Sequence, residues 1–487
     1  MAVTLPRLSP TIWVTAQTIF VQFFGLALFA IQAPLLGPRA FGLVAIVMVF
    51  VGFCESVLAE AASEVLISIR AVDDLHFQTM TTVTAMISLI LGGGVWLGAV
   101  ALAGLFGDHE LTALFRWMAM LPLITSLGAA PNAMAKRDMQ FQPLAIRAIA
   151  GVAGGGVVGM ILTLLGAGVW ALVWQAIVQQ AIRVGILWLA VPLRFRFTLS
   201  RRHFRDILDF AGPLLLSRTM NWMSGQIPRF ILGLNLGATE LGLFSLASRL
   251  NDILMQLTLM PKYAVARVEL RQYAGDPRGL DAATRRLMQQ MSFLCFPLCI
   301  GAWALAPTLF SAWLDPRWYG GIVPAQMMLL MGVPLVTMYG TSALFMALNQ
   351  QASEAAISTL HTLMAILTAL IFAPFGLIIV TAAIAARPLG LVALPAISLR
   401  RNCGLSFRAT LGAQFPALLA AILMGIVVWF LRLQFEGSFS SLVLLPVLIV
   451  LGAVFYVLLT ALLLPEFVGR LLKSVSGRFN QRAGPAL

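Results

Sequence analysis

The sequence predicts an all-α polytopic membrane protein of about 14 transmembrane helices, with two six-helix lobes in parallel pseudo-repeat and two further C-terminal helices. Three observations lead to this prediction. Of the 487 residues, 60% are hydrophobic and only 10% are charged, which is more apolar surface than a soluble protein can bury. Apolar runs of membrane-spanning length follow one another along the chain, and basic residues concentrate in alternate loops.

Apolar runs of about 20 residues define the predicted helices, because that length crosses a bilayer. They lie near residues 11–36, 41–68, 77–106, 112–132, 143–166, 168–193, 207–236, 240–267, 287–313, 322–349, 354–376, 377–400, 410–434 and 440–469. We accordingly divide the chain into an N-lobe at 1–205, a C-lobe at 206–408, and a segment at 409–487 with the last two helices and a basic cytoplasmic tail.

The net charge of +13 comes from loops between the apolar runs, which indicates membrane topology and not nucleic-acid binding. One set of loops holds most of the arginines, whereas the opposite loops hold only Arg39, Arg116, Arg317 and Arg432. The positive-inside rule therefore predicts that both termini are cytoplasmic. The first apolar run follows Arg7 without a small-residue cleavage site, so we interpret it as an uncleaved membrane helix.

An internal repeat relates the two predicted lobes. The segment Leu36-Gly37-Pro-Arg-Ala-Phe-Gly42-Leu43 recurs 200 residues later as Leu236-Gly237-Ala-Thr-Glu-Leu-Gly242-Leu243. We expect each copy to form a tight outer turn between two long helices, where glycine permits positive φ and close backbone approach. Both copies follow an odd-numbered helix, so the halves have the same orientation, a plan known among transporters.

The sequence offers no sign of bond-making chemistry. The triplet at 154–156 lacks the lysine of a phosphate-binding loop and lies in an apolar run, where close helix packing explains it. Cys295 and Cys299 have no ligand set around them, so we interpret them as small core residues. No loop exceeds roughly 20 residues, which leaves no place for an extramembrane catalytic domain. We expect a transporter without a cofactor or a metal, and not an enzyme.

Ionised side chains inside the apolar runs are the candidate functional residues, because charge within a bilayer is costly. They are Arg218, Arg229, Arg249 and Arg387, which we predict to bind substrate, and Glu55, Glu60 and Asp252, which we predict to act in gating or ion coupling. At about 1.5 Å per residue, Arg229, Arg249 and Arg387 fall in one layer, and Arg218 lies level with Glu60. The alternative is that these groups only pair with one another, for instance Arg249 with Asp252. Excess arginine suits a diphosphate, since a guanidinium matches phosphate oxygens bidentately.

The chain resembles the Wzx-like oligosaccharide flippases of the polysaccharide-transport family, in the MOP (multidrug/oligosaccharidyl-lipid/polysaccharide) exporter superfamily. The resemblance covers nearly the whole chain and rests on the motifs at 36–43, 131–141, 231–250 and 375–377. It implies alternating access of two lobes in a bacterial inner membrane. It also implies transfer of an undecaprenyl-diphosphate-linked oligosaccharide from the cytoplasmic to the periplasmic leaflet, for export of an exopolysaccharide, capsule or O-antigen.

The same resemblance implies a lipid-linked oligosaccharide and membrane lipids as partners, with a polysaccharide polymerase and a chain-length regulator as further candidates. Many relatives carry an acidic residue where this chain has Pro228, which weakens any cation-coupling role for that position. A cation-coupled multidrug antiporter of the same superfamily is the alternative, although its cavity would be acidic. An integral-membrane polysaccharide polymerase or ligase would need larger outer loops than this chain has.

Overall fold

Helices make up nearly all of the described chain. The computed structural model describes residues 10–53, 60–69, 72–191, 196–273, 275–393 and 407–465. Within these residues the β structure is confined to one isolated bridge, between Glu436 and Phe439. The chain groups into two compact units, which are described separately: Met1–Ser245 with Ala369–Gly376, and Leu246–Thr368 with Leu377–Leu487. The predicted lobes at 1–205 and 206–408 stay a prediction.

The first unit contains nine helices among its described residues and the greater part of a tenth. They are α1 (Pro10–Phe53), α2 (Glu60–Ser68), α3 (Asp74–Leu97), α4 (Ala99–Phe106), α5 (Glu110–Met118), α6 (Met120–Leu127), α7 (Ala129–Arg137), α8 (Phe141–Leu164), α9 (Trp170–Ala190) and α10 (Arg201–Thr258). Asp73 is the N-cap residue of α3, because its carboxylate accepts a hydrogen bond from the backbone N–H of His76 at 3.0 Å.

The second unit receives the end of α10 and the remaining helices, except the last turn of α15 from Ala369 onwards, which belongs to the first unit. These are α11 (Met260–Arg271), α12 (Pro277–Trp313), α13 (Ile322–Leu330), α14 (Gly332–Ala347), α15 (Gln351–Phe372), α16 (Leu377–Leu391), α17 (Phe407–Phe435) and α18 (Ser441–Leu463). Its hydrophobic core includes Phe296, Phe345 and Met424, together with the buried thiols of Cys295 and Cys299. The interpretation of these cysteines as core residues is therefore confirmed.

Helices α1 and α10 each continue through a single non-helical glycine. Gly37 has φ 74° and ψ 169°, and Gly237 has φ 82° and ψ 179°. Only glycine reaches this conformation at no steric cost, and at Gly37 the following Pro38 also disfavours helical ψ. The repeat predicted positive φ at these two positions, which is confirmed. The observed turn is shorter than the predicted one, since a single non-helical glycine in each helix stands where a loop of several residues was expected.

Eleven helices of the described chain are long and apolar enough to cross a membrane. Two of them, Ile12–Phe53 and Arg218–Thr258, are about 40 residues long and contain the glycines just described. A shorter apolar helix, Leu377–Leu391, coincides with the twelfth predicted span. The all-α polytopic membrane fold is confirmed, whereas the count of about 14 spans stays a prediction.

Candidate anion site in the first unit

Polar side chains from six helices of the first unit converge on one cavity. Its volume is about 230 Å³. The polar residues that line it are Gln17 on α1, Glu60 on α2, Thr125 on α6, Asn132 and Lys136 on α7, Arg147 on α8, and Gln180 and Arg183 on α9. A second cavity of about 260 Å³ shares Thr125, Gln180 and Arg183 and adds Gln175 and Gln179. We call the first of these the basic cavity.

Helical spacing explains why these side chains meet. Asn132 and Lys136 are four residues apart on α7, and Gln180 and Arg183 are three apart on α9, so each pair shares a helix face. Helices α8 and α9 pack closely, because Gly155 leaves no room for a Cβ beside the carbonyl oxygen of Gln175. The glycine triplet of the sequence thus serves helix packing, as predicted.

The charge of the basic cavity is positive. Its lining contains three cations, Lys136, Arg147 and Arg183, and one carboxylate, Glu60. A lining with more cations than carboxylates, in a partly desolvated cavity, favours an anion over a cation.

A chain of hydrogen bonds positions the guanidinium of Arg147. Its Nη2 donates to Asn132 Oδ1 at 2.9 Å, and Asn132 Nδ2 donates to Ser63 Oγ at 3.0 Å. Ser63 Oγ in turn donates to the carbonyl oxygen of Ala129 at 2.9 Å. Ser63 and Asn132 are buried, at 0% and 9% exposure. This hydrogen bond to the Asn132 amide fixes the position of the Arg147 guanidinium in the lining of the basic cavity.

Arg218 lies in a different electrostatic environment. Its Nη1 donates to Glu60 Oε2 at 2.9 Å, and its Nε donates to Glu64 Oε2 at 3.3 Å while Nη2 contacts Glu64 Oε1. The sequence predicted that Arg218 and Glu60 meet, and the structure brings them together. Lys136 lies within electrostatic reach of Glu60, Glu64 and Arg218, so this cluster adjoins the basic cavity.

The other predicted residues are divided between the two units. Arg229 is partly buried on α10 in the first unit, and Glu55 lies outside the described residues. Arg249, Asp252 and Arg387 belong to the second unit, where Arg249 and Asp252 are exposed. Arg387 is partly buried, with Nη2 3.4 Å from Nε2 of His361 on α15. The predicted arginine layer, which needs residues of both units, stays a prediction.

Sequence reasoning missed several residues of this site. Arg147 and Arg183 lie inside the fifth and sixth predicted apolar runs, so the criterion that selected Arg229 applied to them equally. Glu64, which is not among the predicted residues, makes the two-oxygen contact with Arg218. The sequence does indicate a role for Glu64, because it follows Glu60 by four residues and both carboxylates therefore lie on one face of α2.

Comparison with known proteins shows which family the chain belongs to. The family described as "Polysaccharide biosynthesis protein" matches residues 31–323, more than half of the chain. The succinoglycan biosynthesis transport protein ExoT of Rhizobium meliloti is 25% identical over 288 residues, covering 59% of this chain and 58% of that protein. The teichuronic acid biosynthesis protein TuaB of Bacillus subtilis is 22% identical over 302 residues, covering 61% and 62%. The chain thus spans about 60% of the length of these relatives.

Two solved structures share the fold. One is the lipid II flippase MurJ in an inward closed conformation, with a TM-score of 0.73, 15% identity, and coverage of 93% of this chain and 99% of that one. The other is an inward-facing MATE family multidrug resistance transporter of the MOP superfamily, with a TM-score of 0.61, 16% identity, and coverage of 82% and 98%. Identities this low establish the fold alone. Since the family match covers most of the first unit and part of the second, the chain belongs to the polysaccharide biosynthesis protein family, and it has the fold of these two solved structures.

Proposed function

We propose that this chain is a flippase that moves an undecaprenyl-diphosphate-linked oligosaccharide from the cytoplasmic to the periplasmic leaflet of a bacterial inner membrane. The observation that carries the proposal is the basic cavity of the first unit, with three cations and one carboxylate in its lining. Family membership and the transport named for ExoT support the polysaccharide part of the proposal.

The chemistry of the cavity suits a diphosphate. Moving a phosphate anion out of water costs several kcal/mol per charge unless hydrogen-bonding cations replace the hydration shell. Arg147 and Arg183 supply planar guanidinium groups that can meet phosphate oxygens bidentately, and Lys136 adds a point charge. A cationic drug would meet repulsion at the same place, which argues against the antiporter alternative.

An apolar groove in the second unit suits the lipid tail. Its volume is about 440 Å³, and it lies among α12, α17 and α18, where Phe293, Leu298, Met424, Leu445 and Tyr456 are among the lining residues. We propose that the polyprenyl chain follows α17 and α18 in the bilayer while the headgroup occupies the polar part of the protein. No covalent step is needed for this transfer.

The sequence-predicted residues receive roles within the proposal. We assign Arg229, Arg249 and Arg387 to a further set of diphosphate contacts along the transfer path, and Glu55 and Asp252 to gating or ion coupling. Arg218 and Glu60, which meet at 2.9 Å, form a pair that holds or releases α2 and α10 as the protein changes conformation. Both termini are proposed to be cytoplasmic, on the loop charges.

Complementation of a flippase-deficient strain tests the proposal. Arg147→Ala and Arg183→Ala should each abolish polysaccharide export at normal membrane abundance, with lipid-linked oligosaccharide accumulating in the cytoplasmic leaflet. Arg147→Lys should restore export only in part, because an ammonium lacks the bidentate fork. Asn132→Ala should reduce export less than Arg147→Ala, since it misplaces the guanidinium without removing it.

Arg285→Ala is the matched control, because Arg285 pairs with Asp281 on α12 of the second unit and is not among the residues that line the basic cavity. It should leave export unchanged. Full export by the combined Lys136→Ala, Arg147→Ala and Arg183→Ala variant would overturn the assignment of the cavity to the diphosphate.

A further inference from the structure

Two histidines and two aspartates from distant parts of the sequence meet where α10 begins. Asp73 and His76 lie three residues apart at the start of α3, and His203 and Asp206 lie three apart in the first turns of α10. Each pair therefore shares one helix face. About 130 residues separate the two pairs, so no local sequence pattern signals the cluster.

The four side chains already contact one another in pairs. Asp73 Oδ1 lies 2.7 Å from His76 Nδ1, and Asp73 Oδ2 lies 3.3 Å from His203 Nε2. His76 Nε2 lies 3.7 Å from Asp206 Oδ2. The imidazole rings stand edge to face with their centroids 4.3 Å apart. Asp73, His76 and His203 each contribute one possible ligand atom, and these three atoms lie within 4.8 Å of one another. Atoms at this distance could bind one metal ion after small side-chain movements.

Burial of the cluster is uneven. The imidazoles of His76 and His203 are only 8% and 13% exposed, whereas the carboxylates of Asp73 and Asp206 are 56% and 47% exposed. An ion can therefore enter from the carboxylate side and meet nitrogen donors that are held away from water.

Each histidine of the cluster has a hydrogen-bond partner at Nδ1, as metal-binding histidines ordinarily have at the nitrogen that does not bind the metal. His203 Nδ1 lies 2.6 Å from Ser200 Oγ, which leaves Nε2 facing the carboxylates. His76 Nδ1 is held by Asp73 Oδ1, which likewise directs Nε2 towards Asp206. A histidine that binds a metal through one nitrogen ordinarily donates the other N–H to such a partner.

The two helix ends are also fixed relative to each other. Ile207, which follows Asp206 on α10, packs in one hydrophobic core with Phe77 and Met80 of α3. The N–H of Ser200 donates to Thr79 Oγ1 at 3.4 Å. The site is therefore built on packed helices and not on loops alone, which limits the rearrangement that binding would need.

We propose that His76 Nε2, His203 Nε2 and one oxygen each of Asp73 and Asp206 bind a divalent transition-metal ion, with zinc as the best match. Two imidazole nitrogens and two carboxylate oxygens form a four-coordinate set of the type that zinc accepts, whereas calcium and magnesium prefer oxygen alone. The ion would clasp the start of α10 to the start of α3. This proposal is independent of the proposed transport function.

Metal binding to the purified full-length protein tests the site. After chelator treatment, the protein should bind one zinc per chain, and cobalt in its place should show the visible absorption of a tetrahedral ion. His203→Gln and Asp206→Asn should each weaken binding more than about 100-fold, because loss of a ligand exceeds the 10–100-fold effect of an outer partner. Ser200→Ala, which leaves all four ligands in place, should weaken it about 10-fold.

His109→Gln is the matched control, since His109 is exposed on another part of the first unit. It should bind zinc as the wild type does. All variants are compared in chelator, where a Tm equal to the wild type shows that the fold is intact. Wild-type protein that retains no more zinc than His203→Gln would overturn the site and leave the cluster as hydrogen-bonded His–Asp pairs. Zinc bound with equal affinity by wild type, Asp206→Asn and Ser200→Ala would overturn it as well.

Discussion

Replacing either Gly42 or Gly242 of the internal repeat by alanine should force α1 and α10 apart, because the added methyl group has no room. A Cβ on Gly42 would overlap the carbonyl oxygen of Ala238, and a Cβ on Gly242 would overlap that of Pro38. Each Cβ would also stand within 3.2 Å of the backbone nitrogen of the other glycine. The contact is reciprocal, so residues 42 and 242 occupy equivalent places in the two copies of the repeat.

The cost follows from what the methyl meets. An extra methylene in a packed interior costs about 1–3 kcal/mol when side chains can move aside. Here both obstacles are backbone carbonyls inside helices, which cannot rotate away, so Gly42→Ala and Gly242→Ala should each cost about 3 kcal/mol. That is about a hundred-fold in the folding equilibrium. One separation of the helices relieves both overlaps, so the double variant should cost little more than one single variant.

Denaturant or thermal unfolding of the purified protein in detergent measures the effect. Gly225→Ala on α10 is the matched control, because a Cβ there meets nothing within 4 Å. It should leave stability unchanged or raise it by up to about 1 kcal/mol, as alanine is the better helix former. Equal stability of Gly42→Ala and Gly225→Ala would refute the close approach, and fully additive losses at Gly42 and Gly242 would refute the shared separation.

Two other predictions concern the charged groups of the first unit. Glu64→Gln should destabilise the protein more than Glu60→Gln, because Glu64 meets Arg218 through both oxygens. These side chains are 31% to 53% exposed, so the difference should be on the order of 0.5 kcal/mol in thermal unfolding, and equal losses would contradict it. Because the pKa of Asp73 is lowered from 3.8 to about 2, its contribution to stability is complete above about pH 4 and is lost as the pH falls towards 2. Asp73→Asn should therefore remove that part of the acid sensitivity, and an unchanged pH profile would count against the His76 and His203 contacts.

The all-α membrane fold could be predicted from the sequence, because apolar runs of membrane-spanning length are a matter of local composition, whereas the number of spans stays a prediction. The internal repeat identified Gly37 and Gly237. Both residues have positive φ, which explains why glycine occupies the same position in each copy of the repeat. Depth along a helix could also be estimated, and it correctly matched Arg218 with Glu60. What could not be predicted is which helix faces meet. Arg147 is oriented by Asn132 across two helices, a relation that no one-dimensional count contains.

The contacts of Arg218 and Arg147 indicate different roles for these two arginines of the first unit. Arg218 is held by two carboxylates, so an incoming phosphate would have to compete with Glu60 and Glu64 for it. Arg147 donates to the amide of Asn132, which orients its guanidinium in the lining of the basic cavity. The sequence assigned substrate binding to Arg218 because it lies deep in an apolar run, but depth alone does not show that two carboxylates hold this arginine. We therefore propose that Arg147 and its neighbours in the basic cavity make the stronger phosphate contacts, and that Arg218 contributes mainly by holding α2 against α10.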